Sequence, residues 1–177
     1  MERPSIQVAV VMERQADPNP WEAWRFRLLE VVPHEQAYGT QPRALHDDGK
    51  NSRWLHPGFE VTLYADECKG YFLNLTSGNP SWFVSWRHPD DDPSQVEVTA
   101  ASLSYIEADR RLFAGEVVEG VPLAPELCQW LQAFTNENFQ PEEKRKVRAM
   151  SFLSPEERER IASGMRTGRP DPNTIEP

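Results

Sequence analysis

The sequence predicts an α+β domain: an antiparallel β-sheet, a meander of five or more strands, with two C-terminal helices packed on it. Three observations carry this. Residues 24–29 and 59–66 alternate side chains with period two, the mark of a half-buried strand. The links between the central segments are too short for parallel crossovers. Two segments with helix-start signals follow, the second with apolar residues three and four apart.

The first strand is expected over residues 6–13, rich in Val and Ile, with a turn at Asp17, Pro18, Asn19 and Pro20. A second strand runs from Trp24 to about Val32. Residues 33–52 are polar and hold Pro, Gly and an Asp-Asp pair, so they read as a long loop. Residues 59–66 form the next strand, and a turn at residues 67–70 leads to a strand over 71–75. After a second turn at 76–80 come strands over 81–88 and 96–101, separated by an acidic loop at Asp90, Asp91 and Asp92.

The helices come last. Ser104 and Glu107 fit a capping box, in which hydroxyl and carboxylate each close an orphan backbone N–H, so a helix is expected over about 104–114. Pro125 suits a first helical position, and Leu127, Trp130, Leu131 and Phe134 share one face of a helix over about 125–139. Ser154, Pro155, Glu156 and Glu157 signal a third, short helix closing at Gly164. The expected organisation is a β-rich α+β domain over 1–140, a linker with a short helical segment over 141–164, and a disordered tail over 165–177.

Charge is unevenly spread. From residue 141 onward eight Lys and Arg face seven Asp and Glu, leaving eleven against twenty-one in residues 1–140. That negative surface repels nucleic-acid phosphates and anionic membrane faces. The expected partner is a protein or a small ligand, with no nucleic acid and no membrane. The apolar run at residues 8–12 is too brief for a signal peptide or a membrane span, which points to the cytoplasm.

No chemistry-bearing motif emerges. His34, His46, His56 and His88 form no i, i+4 pair and have no Cys at zinc-site spacing, so no metal and no cofactor are expected. There is no Gly-x-Ser-x-Gly elbow and no phosphate-cradling glycine loop, and neither Cys68 nor Cys128 has a His beside it, so no catalytic residue is assigned. Trp82 and Trp86 share one strand face. Core packing accounts for both directly, whereas a binding platform requires one of them in solvent. Trp54, His56, Tyr71, Trp86 and Arg87 are the candidate ligand or partner surface. Lys144, Arg145, Lys146, Arg148, Phe152 and Leu153 are a candidate docking segment, read against the alternative of a solvated linker.

Several strings in fixed order resemble a bacterial family of domains of unknown function, number 3305. They are residues 8–14, Pro20-Trp21, Trp24, 31–33, 54–60, 70–74, 80–87 and 118–123. The resemblance spans about residues 6–150. It implies gene neighbourhoods of molybdenum-dependent formate dehydrogenase, and hence a non-catalytic accessory protein for assembly or maturation that binds a subunit or another accessory protein. The alternative is a small-ligand or cofactor-binding protein, an enzyme of molybdenum cofactor metabolism among the forms this takes. The guanylyltransferase label attached to some members is rejected, because residues 12–17 offer no glycine to bring backbone N–H groups to a phosphate.

Overall fold

The computed structural model describes residues 2–17, 19–142 and 154–163. The chain divides into two compact units, Met1–Pro141 and Glu142–Pro177. In the first unit the strands are β1 (Ser5–Ala16), β2 (Trp24–Pro33), β3 (Arg43–Asp47), β4 (Asn51–Thr62), β5 (Ser81–Arg87), β6 (Glu97–Ser102) and β7 (Val117–Pro122). Its helices are α1 (Cys68–Leu75), α2 (Tyr105–Phe113) and α3 (Pro125–Asn138), and α4 (Pro155–Ala162) lies in the second unit. The α+β class and the antiparallel pairing are as the sequence predicts. The single meander is not: there are two sheets, ordered β2-β1-β4-β3 and β6-β5-β7.

β1 is central in the first sheet, and its six residues from Val8 to Glu13 are all buried. The run from Val8 to Met12 is apolar on both faces, as a strand covered on both sides requires. The buried Glu13 that ends it pairs with Arg27 and Arg53. Val10 and Met12, with Leu28 of β2, pack on Val84 and Trp86 of β5, so the two sheets meet through these faces. Ala9 and Val11 face the other way, with Leu55, under Leu29, Val32 and Tyr38. A third cluster joins Val8, Val61 and Trp82 to Cys68 and Tyr71 of α1 and Leu131 of α3.

The segment expected as a strand over 71–75 is the helix α1. Its sequence is aromatic and apolar enough for a strand, but tertiary contacts decide otherwise. Cys68, Tyr71 and Asn74 recur every third residue and are all buried. Asn74 is anchored from both ends of its amide: Nδ2 donates to the carbonyls of Ser81 and Leu103, each at 2.9 Å, and Oδ1 accepts from Ser81 N at 2.9 Å. Gly70, costly inside a helix, sits where any Cβ would collide with Ser104 Oγ.

Two further strands differ from expectation. The loop expected over 33–52 contains β3 and the start of β4. All five residues of β3 are exposed, so no apolar alternation betrays it. Its hairpin is closed by Asp48 Oδ1, which accepts from Lys50 N at 2.9 Å and Asn51 N at 2.7 Å, with Gly49 at φ +84°. β7, between two helices, was not expected at all. Its Glu119 reaches across to β2, where Oε2 accepts from Leu28 N at 2.7 Å.

The expected helices stand. Ser104 Oγ accepts from Glu107 N at 3.2 Å, but the return half of the capping box is relayed. Ser104 N donates to Ser102 Oγ, and that hydroxyl donates to Glu107 Oε2 at 2.6 Å. α3 begins at Pro125 and turns Leu127, Trp130, Leu131 and Phe134 to the core. At α4 the box is direct, with Glu157 N donating to Ser154 Oγ and Ser154 N to Glu157 Oε2. The tail expected over 165–177 lies outside the described residues.

Candidate interaction surface

The residues singled out in residues 54–87 do not form a surface. Trp86 is 2% exposed and belongs to the core between the sheets, as does Trp82 to its neighbour cluster, so the platform reading of these rings is overturned. Tyr71 is buried in α1. Its hydroxyl accepts from Tyr64 N at 3.2 Å, and burial, with the Tyr64 bond opposing, pushes its pKa up to about 12. Arg87 is exposed on β5, its Nε donating to Glu97 Oε2 at 2.8 Å on the paired strand. Trp54 is half-buried on β4, its Nε1 donating to Ser52 Oγ.

His56 is 7% exposed, and a β-bulge is the reason. Val8 pairs with Phe59 and Val10 with His56, so Ala9 alone faces Pro57 and Gly58, the latter at φ +89°. The extra residue reverses the alternation and turns His56 to the same side as Val10, into the protein. Burial pushes its pKa down to about 4. Its Nε2 and the Nε of Arg14 are buried without a partner in the described structure. Both residues line a cavity of about 10 Å3, the space of one water.

The candidate docking residues Lys144, Arg145, Lys146, Arg148, Phe152 and Leu153 lie outside the described residues.

What the structure does present is an aromatic groove where edge strand β2 meets edge strand β7. The β1–β2 connection is built by side-chain-to-backbone turns. Asn19 N donates to Asp17 Oδ1 and Trp21 N to Asn19 Oδ1, each at 3.2 Å, while Asp17 N donates to the carbonyl of Ala23 at 3.0 Å. The turn holds Trp21 in solvent, 90% exposed. Trp24 lies under the guanidinium of Arg14, 4.2 Å from the ring centroid, and Arg14 Nη1 donates to the carbonyl of Ser94 at 2.9 Å. Phe26 meets His88 edge-on at 5.3 Å. These rings, with Pro93 and the exposed Val117, line a groove of about 570 Å3. From the sequence Trp21 is named only within the Pro20-Trp21 string of the resemblance, just after the turn expected at residues 17–20. The available signal was a large apolar ring inside a Pro- and Asn-rich turn, where backbone geometry leaves it nothing to pack on.

Two other hollows have different characters. A cleft of about 260 Å3 beside the end of β4 and β6 is rimmed by Glu67, Glu107 and Arg111. Two of its carboxylates, Glu67 and Glu107, are already occupied. Glu67 accepts from Ser104 Oγ at 2.9 Å and Arg110 at 2.7 Å, and Glu107 from Ser102 Oγ and Arg111. The network ties α1, α2 and β6 together. A third hollow, about 400 Å3, is walled by apolar side chains including Ile6, Val31, Trp82 and Leu127. Among the described residues, no group of three or more His, Cys, Asp or Glu is placed to hold a metal, and no helix is long and apolar enough to cross a membrane.

Fold and surface together define a small α+β module of two antiparallel sheets with an aromatic groove at the junction of their edges. The chain belongs to the family described as protein of unknown function DUF3305, whose model matches residues 7–148. No curated protein and no solved structure matches it.

Proposed function

We propose that the protein is a non-catalytic accessory factor that acts by binding a protein partner through the Trp21 groove. We place the protein in the cytoplasm, and the partner we propose is a subunit or accessory protein of molybdenum-dependent formate dehydrogenase. One observation carries the binding role: a tryptophan held 90% exposed by a hydrogen-bonded turn, over a groove of about 570 Å3. A tryptophan buried in a complex removes roughly 150–250 Å2 from water and is the residue type most often dominant in interfaces. The enzyme association rests on the sequence resemblance. Affinity capture from the native host by the tagged full-length protein should retain a formate dehydrogenase component, identified by mass spectrometry. Trp21→Ala should weaken that retention about 30-fold or more. Equal capture by wild type and variant, or capture without any such component, would sink the proposal.

The second reading, a small-ligand protein, draws on the 400 Å3 hollow beside Leu127, whose size and apolar walls suit a compact apolar molecule. A Leu127→Trp variant that kept its protein partner and lost a copurifying small molecule would favour that reading.

A further inference from the structure

We infer that the partner segment entering the Trp21 groove is cationic, an apolar side chain flanked by Arg or Lys. This deepens the proposed function and rests on its reading of the groove. The argument is charge complementarity at the rim. Glu22 adjoins Trp21 and lines the groove, and among the described residues it has no ion pair. Asp90 and Asp91 sit in the turn between His88 and Pro93, which both line the groove, and they too have no ion pair among the described residues.

The basic residues nearby are spent. Arg25 pairs with Asp17 at 2.8 Å, and Arg14 lies against Trp24 and is fixed by Ser94. Glu119, which also lines the groove, is a further carboxylate, with Oε2 accepting from Leu28 N. The rim therefore carries unneutralised negative charge around an exposed ring. An Arg guanidinium stacks on Trp and pairs with carboxylates at once, whereas an acidic segment meets only repulsion. The excess of acid over base in residues 1–140 steers the same kind of partner from a distance.

The test uses the full-length protein and two capped eight-residue peptides, one alternating Arg and Leu, the other alternating Glu and Leu. Calorimetric titration should show the basic peptide binding, more weakly as salt is raised, and the acidic peptide at least tenfold more weakly. Trp21→Ala should cost the basic peptide tenfold or more. Asp90→Asn with Asp91→Asn should cost severalfold. Asp66→Asn with Glu137→Gln, which removes the same charge at exposed sites outside the groove lining, should cost less than twofold. Equal binding of the acidic peptide, no binding of the basic one, or equal losses in the two charge pairs would overturn the inference. If capture of the formate dehydrogenase component needs Trp21 while the peptides fail these tests, only the charge inference falls. If the peptides pass and capture ignores Trp21, the proposed partner falls and the groove chemistry stands.

Discussion

Trp86 and Trp21 are the same residue type in opposite circumstances, and the contrast shows what places an aromatic ring. Trp86 is 2% exposed because β5 alternates: Trp82, Val84 and Trp86 share the face that meets the first sheet and its helices. Trp21 is 90% exposed because Asp17 and Asn19 hold the backbone around it in a tight turn. Strand periodicity delivers one ring to the core, and turn chemistry delivers the other to solvent. Hydrophobicity alone predicts the first and not the second.

The largest expected effect breaks the buried member of the pair. Trp86→Ala leaves a cavity among Val10, Met12, Leu28 and Val84, and should cost about 3–5 kcal/mol. Urea denaturation of the two proteins at pH 7.5 checks this. A loss below about 1 kcal/mol would mean that the sheets are not held together through this face.

A smaller effect concerns His56, buried on the same side of the first sheet. Its folded pKa of about 4 lies below the ordinary 6.5, so the unfolded chain takes up a proton first as the pH falls. The stability that the neutral ring permits is complete above about pH 6.5, shrinks between 6.5 and 4, and reaches its minimum below 4. Between pH 7.5 and 4.5 this amounts to about 2.5 kcal/mol. Denaturation at the two pH values should show a drop smaller by about that amount in His56→Gln than in wild type. An identical drop in both proteins would place the acid sensitivity elsewhere.

How much of this was legible follows from where each decision is made. β1, β5 and α3 could be read because their own residues carry the pattern, and Ser104 because its cap partner is three residues away. α1 could not, since Asn74 is fixed by Ser81 and Leu103, the second of them 29 residues distant. β3 has no buried residue to mark it, and the Glu119 to Leu28 bond closes over 91 residues. The candidate surface failed at Tyr71, Trp86 and His56, all buried, and for His56 the reason is local. Counting back in twos from Phe59 puts His56 on the outer face, and the bulge at Gly58 reverses that count.

The smallest expected effect on stability is at the exposed member of the pair, and it sharpens the comparison most. Trp21 donates one backbone hydrogen bond, from its N to Asn19 Oδ1, and any residue but proline keeps that bond. Its side chain is almost wholly in water, so Trp21→Ala leaves no cavity and exposes no new core. The change in stability should stay within about 0.5 kcal/mol, the range of a surface substitution. The near-ultraviolet spectrum should keep the core tryptophan signal while the emission of the most solvent-exposed ring is lost. Partner capture is expected to fall about 30-fold in the same variant. A ring that contributes nothing to the fold and most of the binding energy is a docking anchor. A variant that melts several degrees lower would instead show Trp21 packed in solution, and the groove closed.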